Sequence, residues 1–537
     1  MEAHILTAFD RPLIIADPLV ITCDASEHSG RMSLLVREGR IAEISADAQA
    51  LRDGSPDADV LDARSCLVVP AFVNAHFHPE SIFFEDIARV KPYALWKLDK
   101  GYQQRMDRLA DPAFAPGLKT AYSLGALHHI ASGVLTVGQM APPVAAEEML
   151  ALTEHERQLH VLSRTVLRTW EQIARGKEFK SRKVHLAVSI GGDAEYTVYS
   201  LDNLARTARE LGVPISVHLG ELKEEAEILR RNFKKGLLAV LRDARVLTPS
   251  TQIIHLNHGS AEDLAILAEN HATLTICPGS AAAKKTGYPL LRSLERHRIP
   301  LCLGTDWGST DILAEMKFVA ALPLLFSNLP EFAPLDILKM ATINGARALG
   351  IGEENGSIER GKRADLVLFK VRPIHLEHLS DAFHAADLAR LILSRLNSAD
   401  ISRVIAGGKI VYQDGQYPDI DEASTVTQFR EFQASLPGGY SDTDIPGHRG
   451  KIIPFMASPS SRAAGTEGFE EGFTVHREPA QAGPAAVQAT PDQPAQPVAP
   501  PPEKRVRQER DVRKPELSKN VRLEFGDDDE PGRPKGE

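Results

Sequence analysis

The sequence predicts an α/β chain built on a (β/α)8 barrel of the TIM type, flanked by a small composite β domain and followed by a disordered C-terminal tail. Three observations carry this prediction. Between residues 67 and 356, short β-rich apolar runs alternate with amphipathic stretches, the rhythm of a parallel sheet covered by helices. Strand-like segments of a similar kind stand on both sides of that region. After residue 438 the composition breaks towards Pro, Ala, Gln and Gly.

The opening segment, residues 1–66, reads as short strands. Ser33 to Arg37 runs into Glu38-Gly39, and Arg40 to Ile44 then alternates polar with apolar, which predicts a β-hairpin turning at glycine. A further strand, Ser65 to Val69, ends at Pro70. In the barrel, strands are expected at Leu135–Val137, His185–Ser189, Ile215–Val217, Gln252–Ile254, Ala272–Ile276 and Leu301–Leu303, with the best helix at Leu222–Leu241. The length of the region suits a barrel; a doubly wound open sheet has the same periodicity. Residues 357–438 return to strands at Ala364–Phe369, Ile401–Ile405 and Lys409–Tyr412, and join residues 1–66 in one β domain. Residues 439–537 hold a basic run, Lys504 to Lys514, and the acids Asp527 to Glu530. Such a segment buries too little apolar surface to offset its ordering, so it is expected to be disordered, either a docking tail or a solvated extension.

Bulk properties narrow the function. A net charge of -10 over 537 residues argues against a protein that neutralises nucleic-acid phosphates. The four cysteines are scattered, with no CxxC pair, which fits neither a disulfide framework nor a zinc ribbon and suits a reducing compartment. Neither a signal peptide nor a membrane span is expected, and the chain is placed in the cytoplasm. Its expected partner is a small-molecule substrate, with a homo-oligomer allowed for and no tail partner identified.

The chemistry is carried by strand ends. In Asn74-Ala75-His76-Phe77-His78, residues two apart on a strand point to one side, so His76 and His78 can share one metal; alone, the pair reads equally well as two polar histidines. His218 ends an apolar run, with Glu221 three residues on. His255 ends another, and Asp306 follows Leu303-Gly304-Thr305. Each has an ordinary explanation, a helix cap above all. Together they put a metal-competent residue at the end of four separate strands, on the rim where such barrels place their sites.

These segments resemble the amidohydrolase superfamily, and most closely its cytosine-deaminase and chlorohydrolase-like branch. The resemblance runs in order through Val69 to His78, Ser132 to Thr136, His218 to Glu221, His255 to His258, Cys277 to Ser280, Gly304 to Asp306, Ala341 to Gly350 and Gly356 to Asp365. It implies that His76, His78, His218 and Asp306 hold one divalent ion, that His255 holds the metal-bound water, and that Glu221 moves protons at the substrate's ring nitrogen. Three imidazoles and one carboxylate suit Zn2+, with Fe2+ as the other fit, and not Mg2+. The fourth strand carries no lysine to bridge a second ion, so one metal is expected.

Departures bear on the substrate. Asp193 stands where many relatives carry histidine, Ala281 where asparagine is common, and Ala71 replaces a common glycine. Asp193, Glu80 and Trp96 are candidate substrate contacts; as plain alternatives, Asp193 is a solvated loop acid, Glu80 a helix-start acid and Trp96 a packing residue. Gly356 to Lys362 mimics a phosphate loop but lacks its Ser/Thr and its helix, and His128-His129 fall in a helix with no function required. The expected activity is a metal-dependent hydrolysis of a C–N bond in a small nitrogen heterocycle, by deamination through metal-bound hydroxide. Cyclic-amide opening or ring dehalogenation at the same site are the alternatives within enzymes, and a non-catalytic scaffold is the alternative outside them.

Overall fold

The computed structural model describes residues 11–85, 87, 96, 99–190, 196–287, 299–325, 332–377 and 383–437. The expected tail, residues 439–537, lies outside them, as does Asp193. Among the described residues no helix is long and apolar enough to cross a membrane.

Eight parallel strands form the central sheet in strict sequence order: β1 (Phe72–Phe77), β2 (Val134–Met140), β3 (Leu162–Leu167), β4 (His185–Val188), β5 (Ile215–Leu219), β6 (Thr251–His255), β7 (Thr273–Ile276) and β8 (Leu301–Leu303). A parallel bridge from Phe77 to Asp306 joins the end of β1 to the chain leaving β8. Sequential order with joined edges is a barrel; a doubly wound sheet would reverse its order partway. The strands are short and almost wholly buried, as expected where side chains fill the barrel on one face and helices cover the other.

Two barrel elements differ from the sequence expectation. Strand β3 was not anticipated, because Ser163, Arg164 and Thr165 break its apolar run. Arg164 is nevertheless buried, and its Nη1 donates to the Leu186 carbonyl at 2.6 Å, so a strand hydrogen-bonding group absorbs the charge. The long helix over 222–241 is two helices, Lys223–Phe233 and Leu237–Asp243. Lys234, at φ 53°, ends the first. Asp263 Oδ1 accepts from the Leu238 N–H at 2.8 Å and starts the second, a local tertiary cap that periodicity cannot reveal.

Strands from the two flanks share one sheet, in the order Lys409–Gln413, Ile401–Ala406, Leu366–Lys370, Cys66–Pro70, Leu19–Ile21, Ser29–Arg31. The seam is antiparallel, pairing Leu366 with Pro70 and Val68 with Leu368. The flanking sheet therefore runs on to Pro70, past the expected boundary at 66, because the apolar run 67–70 serves this sheet before Phe72 enters the barrel. A second sheet contains the expected hairpin: Arg37 pairs with Arg40 around Glu38 and Gly39, both at positive φ. A β-carbon on Gly39 would stand 2.9 Å from the Gly407 carbonyl oxygen, so only glycine fits. Residues 422–435, expected within the β domain, instead form a helix against the barrel helix Ala115–Ala131, with Phe429 stacked on Phe83 at 5.0 Å.

Glu156, on the helix Ala146–Gln158, is buried beneath the sheet, where its carboxylate accepts a hydrogen bond from Gln139 Nε2. Burial pushes its pKa up to about 8. Because the folded state holds this proton more tightly than the unfolded chain, its contribution is complete below the ordinary carboxylate range and is lost as pH rises through about 8. Glu156→Gln should leave urea stability nearly unchanged at pH 4 and raise it by on the order of 3 kcal/mol at pH 9.

Candidate metal and catalytic centre

The site forms where β1 meets the chain beyond β8. Asn74 Nδ2 donates to Thr305 Oγ1 at 2.8 Å, and Asn74 Oδ1 accepts from the Thr305 N–H at 3.1 Å. The His76 carbonyl accepts from the N–H groups of both Thr305 (3.0 Å) and Asp306 (2.9 Å), and the His78 N–H donates to the Asp306 carbonyl at 3.1 Å. These bonds place His76, His78 and Asp306 side by side. Gly304 permits the approach, since a β-carbon there would lie 2.7 Å from that of His76. Asp306, at φ 60°, and His255, at φ 76°, both sit in the left-handed region, a costly conformation for a residue with a side chain and one that concentrates at functional sites.

Imidazoles from β1, β5 and β6 then meet the carboxylate. The ligand atoms of His76, His218, His255 and Asp306 all lie within 4.8 Å of one another. His78 Nε2 joins them, 3.4 Å from His218 Nε2 and 3.5 Å from Asp306 Oδ1. His76 Nε2 is also 3.4 Å from Asp306 Oδ1. Two ligand atoms each about 2.1 Å from one ion at a tetrahedral angle stand about 3.4 Å apart, so this spacing suits a shared cation better than direct hydrogen bonds. His76 Nε2, His255 Nε2 and Asp306 Oδ1 are buried and have no hydrogen-bond partner among the described residues, an arrangement a protein tolerates where something else satisfies them. The residues present therefore fit a divalent ion. His255 is set further back, 3.9 Å from Asp306 Oδ2 and 3.7 Å from Glu221 Oε2.

Burial sets the charge states. It lowers His76 to about 4 and His218 well below its ordinary value, with neighbouring imidazoles adding to the effect at His218, and it lowers His255 as well. Neutral imidazole is the form that binds a metal. Burial alone would raise the carboxylates, but the Lys284 ammonium and the neighbouring histidines together outweigh it and hold Glu221 low and Asp306 well below the ordinary range.

The other anticipated residues take different places. Glu80 is buried behind His78, with Oε1 3.4 Å from His78 Nδ1 and 3.2 Å from Arg168 Nη2. That is the position of a carboxylate that orients a ligating imidazole through its far nitrogen, and not of a group turned to the substrate. Trp96 is buried against Trp307, ring centres 5.3 Å apart, and it is Trp307 that lies 5.4 Å from His78. Trp96, a candidate substrate contact, thus packs against Trp307, in keeping with its plain alternative as a packing residue.

Sequence reasoning missed two residues. His129, set aside as a plain helical histidine, donates from Nδ1 to the Gly125 carbonyl (2.8 Å) and stands with Nε2 3.0 Å from Asn74 Nδ2, completing the network that fixes β1. Lys284, at the end of the helix Pro278–Lys284, reaches Glu221 Oε1 at 2.9 Å and Asp306 Oδ2 at 2.5 Å. Its only sequence signal is a lysine closing the small apolar run Ala281-Ala282-Ala283, on the helix that follows β7.

The sequence profile described as the amidohydrolase family matches residues 67–411. The chain is 28% identical over 429 residues to a 5-methylthioadenosine/S-adenosylhomocysteine deaminase of Pyrococcus horikoshii, covering 76% of this chain and 97% of that one. It is 27% identical to a 5'-deoxyadenosine deaminase of Methanothermobacter thermautotrophicus, covering 76% and 95%. Among solved structures, an adenosine deaminase from Xanthomonas campestris with bound zinc superposes with a TM-score of 0.70 at 20% identity, over 79% of this chain and 98% of that one. A zinc complex of atrazine chlorohydrolase from Arthrobacter aurescens superposes at 0.69 and 17% identity, over 78% and 100%.

Asn74→Leu removes buried hydrogen bonds to Thr305 and His129 and leaves their polar atoms unpaired, which should lower urea-unfolding stability by roughly 2–4 kcal/mol. An unchanged midpoint would show that this network does not hold the barrel's seam.

Proposed function

Because this chain belongs to the amidohydrolase family, its site is a hydrolytic one, and we propose that it removes ammonia from a small amino-substituted nitrogen heterocycle with the help of a single zinc ion. His76, His78, His218 and Asp306 would hold the ion, three nitrogen donors and one oxygen being a set that zinc takes readily. When bound, such an ion supplies the acidity that makes water a nucleophile near neutral pH. The deaminases among its relatives, named above, support an aminated ring as substrate. The buried free thiols of Cys23, Cys66, Cys277 and Cys302 support a reducing, cytoplasmic setting.

The observation that carries the proposal is that His255 Nε2 lies between two carboxylates, 3.7 Å from Glu221 Oε2 and 3.9 Å from Asp306 Oδ2. Deamination adds water across a C=N bond: an oxygen–carbon bond forms, the carbon–amine bond breaks, and the two water protons end on the ring nitrogen and the departing ammonia. Two proton carriers suffice. Glu221, ionised at rest, accepts one proton and passes it to the ring nitrogen. Asp306 conveys the other towards the amine, while His255 holds the water by a hydrogen bond through Nε2. Trp307, lying against His78, closes one side of the space and limits access of bulk water.

Purified protein supplied with zinc should release ammonia from at least one member of a panel of aminopurines and aminopyrimidines, with the oxo product visible in the ultraviolet spectrum. Glu221→Gln should lower kcat by roughly a hundredfold or more while KM changes little, the signature of a lost proton carrier. Halide release from a chlorinated ring without ammonia from any amine would replace deamination by dehalogenation. Full activity in Glu221→Gln would remove this residue from the mechanism.

A further inference from the structure

The helix Pro278–Lys284 carries Ser280 and Lys284, four residues apart on one face, and both grip the same oxygen of Asp306. Ser280 Oγ donates to Oδ2 at 2.7 Å and Lys284 Nζ at 2.5 Å. Oδ1 is turned the other way, 3.4 Å from His76 Nε2 and 3.5 Å from His78 Nε2. The two oxygens are thus divided, one held by the helix and one facing the imidazoles. Hydrogen bonds of this kind, made behind a ligand, fix its orientation and its hold on a metal.

What seats the helix lies elsewhere in the chain. Its seven residues are too few for a helix stable by itself, and Cys277 at its start supplies no side-chain cap. The cap comes from Glu315, in the first turn of the helix Ile312–Leu325 that follows β8: Oε2 accepts from the Gly279 N–H at 2.8 Å. Glu315 is buried, and a β-carbon on Gly279 would run into its Oε1, so the carboxylate sits directly against the helix start. Burial pushes its pKa up to about 7, with the Gly279 N–H drawing it down and Asp311 and Asp306 pushing it up; either protonation state leaves an oxygen to accept from Gly279. Asp306 and Glu315 belong to one stretch of chain leaving β8. The contact at Gly279 therefore closes a ring, from Asp306 along the chain to Glu315, across to Gly279, and back through Ser280 to Asp306 Oδ2.

We propose that Glu315 is a positioning residue for Asp306. By capping the helix Pro278–Lys284 at Gly279, it sets where Ser280 and Lys284 grip Oδ2 and hence how Oδ1 is presented to the ion. The proposal rests on the ligand set given under the proposed function, and its content is measurable without turnover.

The test measures zinc affinity by chelator competition and urea unfolding of the metal-free chain, for wild type and four variants that circular dichroism shows to be folded. Glu315→Ala should bind zinc about tenfold more weakly than wild type, whereas Glu315→Gln, which keeps an oxygen for the Gly279 N–H, should stay within about threefold. Gly279→Ala displaces the carboxylate from the other side and should weaken zinc by about the same factor as Glu315→Ala. Leu322→Ala empties core space further along the same helix; it should lower the urea midpoint at least as far as Glu315→Ala, yet leave zinc affinity within about threefold. Wild-type zinc affinity in Glu315→Ala and Gly279→Ala would overturn the inference. So would an equal weakening in Leu322→Ala, since the effect would then be general loosening of the fold. A wild type that binds no zinc would sink the ligand set and this inference with it, whereas one that binds zinc but releases no ammonia would sink the deaminase reading alone.

Discussion

The chain has to bring Thr305 and Asp306 alongside His76 and His78 to close its barrel, and the same hydrogen bonds that do so build the reactive centre. The His76 carbonyl takes two N–H groups from the chain leaving β8, and the Asp306 carbonyl takes one from His78. A side chain on Gly304 would force these strands apart. Asn74 sits beneath them as a buried clasp, fastened to Thr305 and oriented by His129. The position of a carboxylate relative to two imidazoles is therefore set by backbone geometry, which tolerates far less drift than a loop would.

Once assembled, the centre owes its electrostatics to exclusion of water. Burial keeps the imidazoles of His76 and His218 neutral, ready to donate lone pairs, and the buried Lys284 ammonium, with the histidines, keeps Glu221 and Asp306 ionised against the same desolvation. The unsatisfied atoms His76 Nε2, His255 Nε2 and Asp306 Oδ1 are the remainder of this balance. Nothing among the described residues pairs with them; a divalent cation would answer His76 Nε2 and Asp306 Oδ1, and its water His255 Nε2.

The barrel and the convergence of its rim residues were legible in the sequence because both follow from local rules. Side chains two apart on a strand share a face, which brought out His76 and His78, and apolar runs ending in His or Asp marked the rim at His218, His255 and Asp306. What escaped was set by distant contacts. Strand β3 hides its period because Arg164 finds a carbonyl on the next strand. The break at Lys234 depends on an aspartate, Asp263, in the following helix. Glu80 looked like a substrate contact from its spacing, and only the fold reveals that it faces the back of His78. Lys284 carries no motif at all; its importance lies in what Glu221 and Asp306 do around it.

The account stands on a single ion seated among His76, His78, His218 and Asp306. Inductively coupled plasma mass spectrometry of protein grown with ample zinc tests this most directly, run on wild type beside His218→Ala and a surface control, His271→Ala. The account predicts about one zinc per chain in wild type and control, and less than about a tenth of that in His218→Ala. A wild type free of transition metal, or a His218→Ala protein that keeps its full complement, would contradict it.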